Sequence, residues 1–254
     1  MSDTAEAITV DPAEIEKFSK IAAEWWDPKG KFRPLHKFNP VRLGYIRDVC
    51  AAHFNRDEDA VTPLSGLRLL DVGCGGGLVS EPMRRLGADV TGLDAAERNV
   101  KTAATHAEEQ GLTIDYRSTT VETLAAEEPG AFDIVLNLEV VEHVADVGVF
   151  LKASAALVKP GGIMILATIN RTLKALATAK IGAEYILRWL PAGTHEFSKF
   201  VTPGEAAAPL RAAGLEVAPA QGVSYVPLAD KWRLSGDTAV NYMLKAVKPA
   251  DTAI

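Results

Sequence analysis

The chain has 254 residues, 48% of them apolar, and a formal charge of −6, which suits one large domain with a sizeable core. The acidic balance and the lack of a long Lys/Arg run argue against a nucleic-acid partner, since phosphate binding needs a concentrated basic face. Cys50 and Cys74 have no metal-type spacing and form no disulfide framework, so a reducing, cytoplasmic compartment is expected.

Residues 1–10 are acidic and polar and do not read as a targeting peptide. Asp11 can cap a helix, Pro12 suits its first turn, and Glu14 completes a capping-box pattern. Ile15, Phe18 and Ile21 then recur at helical spacing, and Trp25-Trp26-Asp27-Pro28 ends the helix. A Gly/Pro-rich loop is expected over 28–40, a second helix over 41–53 and a charged linker over 55–65. The first 60 residues therefore read as a helical lid region, and 61–254 as the main domain.

From Leu67 strands and helices alternate. Strands are expected over 68–72, 88–93, 113–117, 132–138 and 163–168, with helices over 78–86, 96–110 and 146–158. This rhythm means a doubly wound α/β fold, with a mainly parallel sheet and helices on both faces. Further helices are expected over 171–190 and 203–213, and strands over 215–227 and 240–247 complete a seven-stranded sheet. The insertion 170–202 falls where such a sheet displays substrates. No apolar run is long enough to span a bilayer.

Leu70-Asp71-Val72-Gly73-Cys74-Gly75-Gly76-Gly77 joins the first strand to its helix. Glycines let the backbone turn sharply and approach a ligand closely. Asp71 can face the cationic or hydrogen-donating end of that ligand. Asp94, ending the second strand, can accept both hydrogen bonds of a ribose diol. The dinucleotide G-x-G-x-x-G register read from Gly73 needs glycine at position 78, where Leu78 stands, which disfavours a nicotinamide cofactor. Together with the Lys159-Pro160-Gly161-Gly162 turn, these marks resemble the class I S-adenosylmethionine-dependent methyltransferases over about 67–168. The resemblance implies that Asp71, Gly73 and Gly75 underlie the methionine part of S-adenosylmethionine and that Asp94 holds its ribose. Val121 and Glu122 would border the adenine, and Leu138 would lie on the cofactor's other side.

After the fourth strand, Glu139, Glu142 and His143 have i, i+3, i+4 spacing and would share a face on a helical turn. Two carboxylates and an imidazole can hold Mg²⁺, Mn²⁺ or Zn²⁺, can supply a general base, or can simply shape a pocket.

Outside the cofactor region, Phe18-Ser-Lys-Ile-Ala-Ala-Glu-Trp-Trp-Asp, Phe32-Arg-Pro-Leu-His-Lys-Phe-Asn-Pro-Val-Arg, the run from Gly182 to His195, and Val240-Asn-Tyr-Met are similar to the O-methyltransferase family of ubiquinone biosynthesis. That resemblance spans about 15–246 and implies methylation of catechol-type polyprenyl quinol precursors at two steps, within the setting of a biosynthetic protein complex. It also implies a divalent cation and a cofactor contact at Arg42. Ser224 stands where the family pattern has His, whereas Tyr225 matches. Asn170, Arg171, His195 and Tyr225 are expected on the substrate side. Trp25 and Trp26 can cover the cofactor or quinol, or pack with an amphipathic helix on the core, the reading preferred here. The stretch 171–190, an apolar stripe with basic and aromatic flanks, can pack on the sheet or lie on the inner membrane face as a peripheral contact. Another small-molecule methyltransferase and a non-catalytic cofactor-binding subunit are the rival readings.

Overall fold

A computed structural model describes residues 9–178 and 197–250. The expected substrate residue His195 and positions 179–190 of the expected helix lie outside them. Among the described residues the strands form one nine-stranded sheet in the order β3-β2-β1-β4-β5-β9-β7-β8, with β6 beside β9. These strands are β1 (Arg68–Val72), β2 (Asp89–Asp94), β3 (Asp115–Ser118), β4 (Phe132–Leu138), β5 (Val158–Ile169), β6 (Glu216–Val217), β7 (Gln221–Val226), β8 (Lys231–Ser235) and β9 (Asn241–Val247). The first five in sequence are parallel, and β9 runs antiparallel to β5, β6 and β7. The helices are α1 (Pro12–Lys20), α2 (Arg33–His53), α3 (Ser80–Arg85), α4 (Glu97–Glu109), α5 (Val121–Glu127), α6 (Val147–Leu157), α7 (Leu173–Leu176) and α8 (Pro203–Ala212).

Period-two alternation sorts the apolar strands onto two helical layers. Leu70, Val135, Met164 and Leu166 pack with α5, α6 and α8 through Leu124, Leu151 and Leu210. Leu69, Ile134, Leu136 and Ile165 face the other way, toward Ile46, Cys50 and Met83 of α2 and α3. A sheet covered on both faces needs apolar residues at both parities, which is why these strands read as continuous apolar runs. Each fully buried Leu or Ile contributes about 1.5–3 kcal/mol. Strand order reverses where β1 lies between β2 and β4, and that switch point opens a crevice beyond their carboxyl ends.

Several expectations change. The expected loop over 28–40 is partly helix, because α2 starts at Arg33. Pro34 occupies its first turn, where a missing N–H costs nothing, and Pro40 is accepted inside it. Phe38 is buried in the α2 layer and meets Trp232 at 5.0 Å, so packing outweighs the local cost. The expected last strands resolve differently too. The stretch over 215–227 splits into β6 and β7, and β8, which was not expected, closes a hairpin on β7. β5 begins at Val158, not 163. Phe132 pairs with Val158 and Ile134 with Ile163, so Lys159-Pro-Gly-Gly loops out of register inside the strand. Helix α5 was also missed; Thr120 caps it by accepting from the Thr123 N–H at 3.2 Å. The expected α8 carries a full capping box between Thr202 and Glu205.

Candidate active site

A cavity of about 260 Å³ lies at the switch point. It is lined by the glycine loop after β1, Asp94 at the end of β2, Val121 and Glu122 at the start of α5, and Leu138, Glu139, Glu142 and His143 after β4. Arg42 of α2 and the N-terminal residues Thr9, Glu14, Phe18 and Trp25 complete its wall.

Gly73 and Gly75 have φ of 68° and 54°, the left-handed region that favours glycine. A Cβ on Gly73 would meet Val140 Cγ2 at 2.5 Å, and one on Gly75 or Gly76 would run into the Trp25 side chain. Trp25 is buried, stacks on Phe32 at 3.6 Å and donates its indole N–H to Asn99 at 3.0 Å. It is therefore both core and cavity wall. Trp26 donates to the Gly76 carbonyl at 2.8 Å and stacks on His106.

Asp71 is buried and accepts from the Ser80 hydroxyl at 2.6 Å; burial pushes its carboxyl up to about 6. Asp94 accepts from the Gly75 N–H at 2.9 Å through one oxygen and from the Ala96 N–H at 2.8 Å through the other. The carboxylate thus ties the glycine loop to α4. The oxygen bonded to Ala96 also accepts from the Asn99 amide at 3.2 Å, so the oxygen facing Gly75 is the one that keeps a second lone pair for a ligand. Burial raises this carboxyl as well.

Arg42, the expected cofactor contact, is only 3% exposed. It donates to Asn39, lies over the Phe38 ring, and stands 3.9 Å from Glu139. Its Nε has no hydrogen-bond partner. Glu122 accepts from the Thr9 hydroxyl through Oε1, while its buried Oε2 has no partner.

Glu139, Glu142 and His143 do not share a helical face. Glu139 has φ of 56° and Val141–His143 is a single 3-10 turn, so the i, i+3, i+4 geometry of an α-turn does not apply. A non-glycine residue in the left-handed region is uncommon and concentrates at functional sites. Glu142 is buried and accepts from Thr168 at 2.9 Å. Burial first, and then the neighbouring Glu142 charge, raise the Glu139 carboxyl well above the ordinary range; Arg42 opposes the shift. Glu139 Oε1 is buried without a hydrogen-bond partner. The His143 Nδ1 lies 3.1 Å from Glu14 Oε2. Glu14 consequently does not close the expected capping box: Asp11 caps α1 alone, accepting from the Ala13 N–H. Among the described residues no three His, Cys, Asp or Glu side chains already converge as a metal-binding group.

Three of the expected substrate residues, Asn170, Arg171 and Tyr225, find partners elsewhere. Asn170 donates to the Thr238 carbonyl at 2.9 Å and so ties the end of β5 to the β8–β9 connection. Arg171 pairs with Glu205, and the Tyr225 hydroxyl donates to Asp230. None of the three is among the described residues lining the cavity. Residue reasoning missed Thr9, Glu14, Phe18 and Asn99 as cavity residues. Their role comes from contacts between distant segments, and no local spacing signals it.

A family model described as Methyltransferase domain matches residues 70–166. The ubiquinone biosynthesis O-methyltransferase of Brucella anthropi is 60% identical, over 98% of this chain and 100% of its own length. That of Caulobacter sp. (strain K31) is 58% identical, over 97% of this chain and 98% of its own. Among solved structures, magnesium protoporphyrin IX methyltransferase from Synechocystis PCC 6803 with bound SAH matches with a TM-score of 0.56 and 24% identity, covering 82% of this chain and 85% of that one. The cyclase SpnF matches with a TM-score of 0.56 and 19% identity, covering 82% and 81%. At such identities these structures share the fold alone. A methyltransferase and a cyclase on one fold mean that the reaction must be argued from the site.

Proposed function

The chain belongs to the ubiquinone biosynthesis O-methyltransferase family, and from that premise we propose that its cavity transfers the methyl group of S-adenosylmethionine to one hydroxyl of a catechol-type polyprenyl quinol precursor. The enzyme is an S-adenosylmethionine-dependent O-methyltransferase of ubiquinone biosynthesis. Its two proposed acceptors are an early polyprenyl dihydroxybenzene and the late demethylubiquinol. The observation that carries this reading is one cavity holding both the glycine loop with Asp94 and the Glu139–Glu142 carboxylates.

S-adenosylmethionine, when bound, supplies a methyl carbon already activated on a sulfonium. The residues therefore have to align two reactants and remove a proton. Gly73 and Gly75 let the backbone lie close under the methionine part, with Asp71 as its anionic partner. Asp94 accepts from the ribose diol with the remaining lone pair of the oxygen that faces Gly75. Val121 and Leu138 flank the adenine, and the free Glu122 Oε2 accepts from a base donor. A phenolic hydroxyl near the tyrosine value gives up its proton at about pH 10 in water, so a nearby base must assist. Glu139, raised by burial beside Glu142, suits that task near neutral pH, and His143 is the second candidate.

The same carboxylates fit a divalent cation. Glu139 Oε1 is buried without a hydrogen-bond partner beside a second buried carboxylate, an oxygen-rich donor set that attracts Mg²⁺ or Mn²⁺. Glu139 and Glu142 would hold the cation with His143 as a third donor, whose nitrogen also admits Zn²⁺. Such a cation would favour ionisation of the catechol. We expect methyl transfer from labelled S-adenosylmethionine to a short-tail demethylubiquinol to be lost with chelator and restored by Mg²⁺, Mn²⁺ or Zn²⁺. Glu139→Gln should lower turnover by about 10²–10⁴-fold. Turnover indifferent to chelator yet lost in Glu139→Gln would assign the carboxyl as the base with no cation. Cofactor binding with no methylation would overturn the acceptor.

An isoprenoid tail is lipid-soluble, so this reading includes contact with a membrane surface through 171–190 and association with other proteins of the same biosynthesis. None of the described helices is long and apolar enough to cross a membrane. In the described start of that stretch Leu173 is 79% exposed. Flotation with anionic vesicles should weaken when 171–190 is deleted; equal flotation of both proteins would remove this segment from the reading.

A further inference from the structure

Glu14 and His143 stand 129 positions apart in sequence, yet Glu14 Oε2 lies 3.1 Å from His143 Nδ1. A carboxylate only accepts, so Nδ1 carries the hydrogen of that bond. In the neutral ring the lone pair then falls on Nε2. Phe18, one helical turn after Glu14, meets the same imidazole edge-on with centroids 5.1 Å apart.

Glu14 is itself held in place. Lys199 Nζ donates to its Oε1 at 3.1 Å, and Lys17 donates to Oε2 at 3.2 Å. The segment leading into α1 is pinned beside the site: Val10 bridges to Val144, and the Ala145 N–H donates to the Thr9 carbonyl at 2.8 Å. That backbone pairing sets the register at which Glu14 arrives opposite His143.

We propose that Glu14 is a positioning residue that fixes His143 as the Nδ1–H tautomer and leaves Nε2 with the lone pair for a proton or a cation. The proposal rests on the reading of His143 as a base or cation donor. A carboxylate behind the imidazole is the arrangement that orients histidine bases and histidine metal ligands alike. Because α1 carries Glu14, docking of the N-terminal segment and orientation of His143 are one event.

The test uses the full chain with ¹⁵N-labelled imidazoles. In the ligand-free protein, NMR should report His143 with hydrogen on Nδ1 and none on Nε2. Glu14→Ala should shift that balance toward the Nε2–H form, and Glu14→Asp should restore it in part. Mn²⁺ binding, followed by calorimetry, should weaken by about 10- to 100-fold in Glu14→Ala. Where Glu14→Ala fails to fold, Glu14→Gln serves: its amide can donate to Nδ1 as well as accept, so both tautomers should appear. An unchanged His143 tautomer in Glu14→Ala or Glu14→Gln would overturn the proposal. Full turnover and full Mn²⁺ binding in His143→Ala would instead overturn the role of His143 itself, and the two failures are told apart by these separate variants.

Discussion

Asp71 shows how a single buried carboxyl links stability to ligand binding. Its folded pKa, about 6, lies above the ordinary aspartate value because burial disfavours the charge. The sign follows from proton uptake: the folded, ligand-free protein holds this proton more tightly than the unfolded chain. The stability it contributes is present below about pH 4 and is lost as pH rises through about 6. A cationic ligand favours the ionised form, so S-adenosylmethionine affinity should strengthen as pH rises from 5 to 7.5 and level off above. Calorimetric titration checks this, and Asp71→Asn should flatten the profile. A wild-type affinity that is level across this range would remove Asp71 from the cofactor's charged end. Glu139 follows the same logic, since burial beside a like charge raises it.

At the scale of elements, the N-terminal segment forms part of the cavity wall. Trp25, between α1 and α2, packs on the glycine loop, where Gly75 and Gly76 have no room for a Cβ. These glycines are therefore required by protein packing as well as by any ligand. Truncating a buried tryptophan costs about 3–5 kcal/mol, and in a chain of this size each kcal/mol lowers Tm by about 2–4 °C. Trp25→Ala should show that loss in thermal unfolding together with weaker S-adenosylmethionine binding, while Trp25→Phe should recover most of both. Normal cofactor affinity in a destabilised Trp25→Ala would mean that the segment supports the fold and leaves the cofactor unaffected. Helix α2 works in the same way, since it brings Arg42 into the cavity wall and begins at Arg33, inside the stretch expected as loop.

Across the whole molecule, the sequence by itself determined the parallel α/β core, the glycine loop, the carboxylates at the ends of β1 and β2, and the cluster of acidic residues and histidine after β4. Each is a local signal: a short apolar run, a glycine where the backbone must turn, an acid at a strand end. Tertiary structure decided the rest. It placed Arg42 in the interior, turned Glu14 from a capping residue into the partner of His143, and replaced the expected α-turn at 139–143 by a left-handed residue and a 3-10 turn. It also added the β7–β8 hairpin and carried the side chains of Asn170, Arg171 and Tyr225 to partners outside the cavity wall. The physical reason is range. Periodicity and capping register neighbours within a few residues along the chain. Burial, the desolvation of Asp71 and Glu139, and a hydrogen bond between positions 14 and 143 come into being only when distant segments exclude water from one another.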